Sequence, residues 1–106
     1  MYVIKTTDVF DIWFDSLKDK LAKARINARL RRAEIGNLGD VAPVGHGISE
    51  MRLFFGTGYR IYFRQAGDEL IVLLVGGDKS TQKQDIQTAR KILQALEIEY
   101  EKDQFT

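Results

Sequence analysis

The chain has 106 residues, 44% of them hydrophobic and 29% charged, with a net charge of +1 and no cysteine. That length suits one domain, 1–106, with a modest core; the missing thiols exclude disulfides and thiolate metal sites and fit a reducing compartment. No run approaches the roughly 18 apolar residues of a membrane span, and MYVIKTTD lacks the regions of a secretory leader, so a cytoplasmic protein with no membrane partner is expected. The near-zero net charge argues against bulk polyanion binding, but residues 1–65 hold 11 Lys/Arg against 7 Asp/Glu, so a basic surface is concealed in the total.

Tyr2 to Lys5 reads as a short strand, after which Thr6 and Thr7 offer N-cap oxygens with Asp8 in the first helical turn. Phe10, Trp13, Phe14, Leu17 and Leu21 follow at helical spacing and are expected in the core. A second helical pattern, from about Leu21 to Ile35, has an apolar stripe of Ala22, Ile26, Leu30 and Ala33. The rest of it is dense in cations, and Lys23, Arg25, Arg29 and Arg32 are either a solvated face or a contact surface for a partner. Lys18-Asp19-Lys20 either separates two helices or lies within one long helix.

Gly36, Asn37 and Gly39 close the helix, and Asp40 to Gly47, with the only proline and the only histidine, reads as a loop. His46 has the right chemistry for a general base, but with no neighbour completing a triad it reads better as an exposed loop histidine. A hairpin follows. Glu50 and Arg52 alternate with Met51 and Leu53, and Arg60, Tyr62 and Arg64 alternate with Tyr59, Ile61 and Phe63. Successive strand residues point to opposite faces, so one face is apolar and the other cationic. Phe55-Gly56-Thr57-Gly58 connects the strands without making a dinucleotide fingerprint.

Leu70 to Val75 is apolar throughout, as in a strand covered on both sides, and ends in Gly76-Gly77-Asp78-Lys79. Thr81 with Gln84 matches a capping box, opening a helix with Ile86, Ala89, Leu93 and Leu96 as its stripe, and 97–106 reads as a frayed tail. The expected fold is α+β: a small antiparallel sheet with a mixed edge, two N-terminal helices and one C-terminal helix. Its cationic face is expected to stay partly open, so that Arg60→Ala would leave the fold intact.

Such a face suits RNA cleavage by the 2′-hydroxyl, where a proton must leave the nucleophile, the phosphorane needs cationic donors, and the 5′-oxygen needs a proton. Arginine forks match phosphate oxygens, and Arg64, Tyr62 and Lys83 are the expected RNA contacts, with Tyr62 either stacking on a base or filling space. Glu50 either takes a proton or orients Arg52 and Arg60. Exposed Arg and Tyr are also ordinary cross-strand partners, so this pattern permits a nuclease without requiring one.

The segments FDIWFDSLKD, RINARLRRAEIGNLGDVAPVG, ISEMRLFFGTGYRIYF and LLVGGDKSTQKQDIQTA resemble the toxins of type II toxin–antitoxin modules. The similarity is to the RelE/ParE superfamily, in the branch of addiction-module killer proteins related to HigB and phage Gp49-like proteins, from Phe10 to about Leu96. It implies a metal-independent, cofactor-free endoribonuclease that cuts mRNA in the ribosomal 30S A site and is neutralised by a helix-turn-helix antitoxin. By position, the family's catalytic basic residues fall on Arg60 of the GYR motif, Arg52 on the preceding strand and Lys79 after the last strand. Some members use a tyrosine in the last helix; here that region holds Asp85 and Ile86, with no tyrosine before Tyr100, so Asp85, Glu50 or His46 would have to substitute. A ParE-like gyrase inhibitor and a non-catalytic antitoxin- or operator-binding module are the alternatives.

Overall fold

A computed structural model describes residues 1–105, with side chains described through Glu97. The elements run β1 (Val3–Thr6), α1 (Asp8–Ser16), α2 (Lys20–Glu34), β2 (Val41–Gly45), β3 (Ile48–Leu53), β4 (Tyr59–Ala66), β5 (Leu70–Asp78), a 3-10 turn (Lys79–Thr81) and α3 (Gln82–Phe105). One five-stranded sheet takes the order β1-β5-β4-β3-β2, antiparallel except for the parallel β1–β5 pair at one edge. The expected α+β architecture is present. Beyond Glu97 the expected tail falls outside the described residues, apart from the backbone course of α3 to Phe105.

The two N-terminal helices are separate. Leu17 ends α1 in an extended conformation, and Asp19 then caps α2 by accepting from Leu21 N and Ala22 N at 3.0 and 3.2 Å. The restart shifts the helical phase, which takes Leu21 off the predicted stripe and leaves it 60% exposed. Thr7 is the cap of α1. Its hydroxyl accepts from Phe10 N at 3.1 Å and donates to Leu74 O at 2.7 Å, which ties the helix to β5. That tie exploits an irregularity: Tyr62 pairs with Val75 and Phe63 with Leu73, leaving Leu74 as the extra residue of a bulge.

Two clusters fill the two faces of the sheet. Phe10 of α1 and Ile26 and Ala33 of α2 join Met51, Leu53, Ile61, Phe63, Ile71 and Leu73 on one face. Ala89 and Leu93 of α3 join Ile48, Tyr62, Leu74 and Val75 on the other. The expectation of an open polar face is therefore corrected: α3 packs across β5 and β4 and covers it. Its buried stripe requires an apolar partner, and the bulge turns both Leu74 and Val75 toward it.

Two further corrections concern local structure. The predicted loop Asp40–Gly47 contains an edge strand, β2, on which Pro43 is tolerated because an edge leaves one row of donors unused. Thr81 closes no capping box; its hydroxyl donates to Asp85 Oδ2 at 2.6 Å, and Asp78 caps the 3-10 turn by accepting from Ser80 N at 2.8 Å.

Gly76 and Gly77 lie inside β5 rather than after it. A methyl group at Gly76 would overlap the Trp13 ring, and one at Gly77 would overlap the Asp85 carboxylate. The pair thus lets α1 and α3 approach the strand from opposite sides, which is one use of glycine in a strand. Gly76→Ala is expected to cost about 1–3 kcal/mol by overpacking, read from the urea midpoint; an unchanged midpoint would show that Trp13 is free to move aside.

Candidate functional site

β3, β4 and the start of α3 converge on one carboxylate. Glu50 is 3% exposed, yet it lies on the sheet face covered by α3 and is surrounded by donors. Its Oε1 accepts from Arg52 Nε at 3.1 Å and stands 3.8 Å from Arg60 Nε, and its Oε2 accepts from Gln82 Nε2 at 2.7 Å. Strand register explains the first two contacts: Glu50 pairs with Tyr62, and Arg52 with Arg60, so alternate residues of both strands share this face. Gln82, the first residue of α3, was not legible as a site residue. No spacing signal links a helix-start glutamine to a strand 32 residues earlier.

Arg60 is 9% exposed, which overturns the expectation of a side chain carrying little packing. Its Nη1 donates to the carbonyls of Tyr59 and Gly58 at 3.3 and 3.4 Å, and its buried Nε has no hydrogen-bond partner. Tyr62 is fully buried in the cluster under α3, so of its two expected roles it fills space and does not offer its ring to a base; its hydroxyl has no well-formed partner among the described residues. Burial raises its phenol well above the ordinary tyrosine range, and the nearby Glu50 and Asp85 carboxylates add to the effect. Arg52 stays accessible, with 36% of its side chain exposed.

Asp85 lies over Gly77, the residue that pairs with Arg60. Burial raises its carboxyl above the usual carboxylate value; the Thr81 hydrogen bond opposes that shift and Asp78 reinforces it. Lys79 is exposed, and its stem lies against Gly58 beside Arg60 Nη1, since both atoms would neighbour a methyl group there. The structure thus brings together Glu50, Arg52, Arg60, Tyr62, Asp85 and Lys79.

The remaining candidates lie elsewhere. His46 occupies the β2–β3 turn with φ 56°, at the end of β3 remote from Arg52, beside Arg90, Leu93 and Gln94. Arg64 donates to Gly47 O at 3.0 Å at that same distant end. Lys83 is exposed on α3, facing a shallow surface with Ser80, Gln84 and Gln87.

The cations of α2 divide between structure and solvent. Arg29 is a strut: Nε, Nη1 and Nη2 donate to the carbonyls of Leu38, Arg52 and Asp40 at 3.1, 2.8 and 3.0 Å, which locks α2 to the start of the sheet. Arg25 stacks over Phe55 at 5.1 Å and Lys23 over Phe14 at 5.5 Å, whereas Arg32 is exposed. Among the described residues no group of three or more His, Cys, Asp or Glu is placed to hold a metal ion, and no helix is long and apolar enough to cross a membrane.

Residues 12–97 match the sequence model of the family described as "Phage derived protein Gp49-like (DUF891)". An uncharacterised protein of Haemophilus influenzae is 50% identical over 93 residues, covering 88% of this chain and 94% of its own.

Two outcomes are expected of this geometry. Tyr62→Phe removes a buried hydroxyl that has no well-formed partner among the described residues but lies by the Glu50 carboxylate, so stability should change by no more than about 1 kcal/mol; a larger loss in urea unfolding would show that the phenol donates to Glu50. The raised Asp85 carboxyl means that the fold disfavours its ionisation. Wild type should therefore lose stability relative to Asp85→Asn as pH rises from the unfolded carboxyl value of about 3.9 through the folded one. Parallel pH–stability curves for the two proteins would contradict this.

Proposed function

As the chain belongs to the phage-derived Gp49-like family, we propose that it is the toxin of a type II toxin–antitoxin pair. In this reading it is of the RelE/ParE kind: a metal-independent endoribonuclease that cuts mRNA in the ribosomal A site and is held inactive by a helix-turn-helix antitoxin. The observation that carries it is the placement of half-exposed Arg52 and exposed Lys79 at the rim of the buried Glu50–Arg60 pair, with half-buried Asp85 beside it. A buried carboxylate braces the arginines while two cations remain open to an anion.

The chemistry follows from those positions. Arg52 presents its fork to the scissile phosphate and stabilises the charge that develops on the phosphorane. Glu50, held by Gln82 Nε2 at 2.7 Å, fixes the arginine through Nε and leaves its terminal nitrogens free. Asp85 is the base that takes the 2′-hydroxyl proton, and its raised carboxyl makes it a better acceptor than an ordinary aspartate. The 2′-oxygen attacks phosphorus, the bond to the 5′-oxygen breaks, and Lys79 supplies the proton that this oxygen takes. The products are a 2′,3′-cyclic phosphate and a 5′-hydroxyl. Asp85 thus takes the place of a helix tyrosine.

A second reading is favoured by one specific observation. Arg60 is buried and spends Nη1 on backbone carbonyls, as a structural arginine does. A toxin that inhibits gyrase by surface contact, or a binding module for the antitoxin and its operator, would need no more of the cluster than that.

Primer extension on cellular mRNAs after brief induction separates these readings, with Lys79→Ala and Arg52→Ala as the variants; Lys79 is exposed, and because Arg52→Ala leaves the buried Glu50 one partner short, far-UV circular dichroism checks that it is folded. Discrete cuts within translated codons are expected from wild type, falling about 100-fold or more in Arg52→Ala, the scale of removing one transition-state donor. Growth arrest with intact mRNA would sink the nuclease and turn attention to supercoiling by gyrase.

A further inference from the structure

We propose that Phe54 is the platform on which a base of the single-stranded RNA substrate stacks, an inference that rests on the ribonuclease reading above. Among the large hydrophobic residues exposed in the described part of the chain it is the one aromatic, and it is 74% exposed. Isolated exposed apolar side chains are common and carry no meaning alone. The surroundings of this one are what distinguish it. The Arg60 guanidinium lies 6.0 Å from the ring centre, and Phe54 lines a groove of about 300 Å³ with Arg25, Arg32, Leu53 and Phe55. Arg25 itself lies over Phe55.

Cations interleaved with aromatic rings in a groove are the arrangement that single-stranded nucleic acid recognises, because every base has a face to stack and every nucleotide a phosphate to neutralise. Position along the chain fits the same ligand. Phe54 follows Arg52 by two residues, at most about 7 Å, so a base on the ring leaves the adjoining phosphate within reach of the Arg52 fork. The predicted stacking residue, Tyr62, is sealed beneath α3, and Phe54 is the aromatic left at the rim. Arg32 lines the same groove, where it would serve the next phosphate along the strand. An acidic protein segment would use the cations but would not need a flat ring lying in water beside an arginine.

The test uses ribosomes programmed with an mRNA whose A-site codon carries 2-aminopurine and 2′-deoxy sugars, so that binding is read without cleavage. Wild type is expected to bind and to change the 2-aminopurine fluorescence as the base stacks. Phe54→Leu, which keeps apolar bulk but no π-face, should bind at least about 10-fold more weakly and lose the fluorescence change, while Phe54→Trp restores both. Far-UV circular dichroism checks that each variant is folded. If Arg52→Ala weakens binding but Phe54→Leu matches wild type in both readouts, the stacking site is overturned and the nuclease reading stands. If wild type does not engage the programmed ribosome, that reading fails and the stacking site fails with it. Loss of a co-expressed antitoxin by Phe54→Leu, with ribosome binding unchanged, would assign the ring to a protein interface and equally overturn the proposal.

Discussion

A carboxylate buried under a helix has to be compensated, and the compensation of Glu50 organises this end of the molecule. Removing one carboxylate from water costs several kcal/mol even after relaxation. Here two arginines from adjacent strands and a glutamine from the start of α3 share the task. Each partner belongs to a different element, so the charge fixes the register of β3 against β4 and the seat of α3 upon both. Orphaned donors remain, on Arg60 Nε and the Tyr62 hydroxyl, so the cluster is incompletely satisfied. Groups kept short of full satisfaction in a fold are often those with work to do on a ligand.

The sheet reaches this arrangement through departures from regularity. The bulge at Leu74 gives α1 a carbonyl for its cap and gives α3 two neighbouring apolar residues. Gly76 and Gly77 remove the side chains that would keep Trp13 and Asp85 away. Both devices fall where β5 passes from the core to the charged cluster, so Asp85 can sit directly over the strand. A regular β5 with ordinary side chains would hold α3 further out, and the aspartate would then lie in water without its raised carboxyl.

The basic helix shows how one composition serves two purposes. Arg29 is consumed by three backbone carbonyls, so part of the charge density of α2 is structural. What it presents outward is a narrower band ending at Arg32, beside the exposed Phe54.

Periodicity alone determined a good deal. The alternation of β3 and β4, the helical stripe of α2 and the doubly covered β5 each follow from which residues are apolar at spacing 2 or 3.6, a local property written in the chain. The set Glu50, Arg52 and Arg60 was legible for the same reason, because a strand assigns its faces by parity. Exposure was not. Parity says which residues share a face, but only the docking of α3 decided that the face is covered, burying Arg60 and Tyr62 and leaving Arg52 at the rim. Pro43 on an edge strand, Gln82 on Glu50, Arg29 as a strut and Phe54 beside Arg60 likewise depend on segments that meet far apart in sequence. Such contacts have no periodic signature, because the energy that selects them is the burial and hydrogen bonding of the assembled domain.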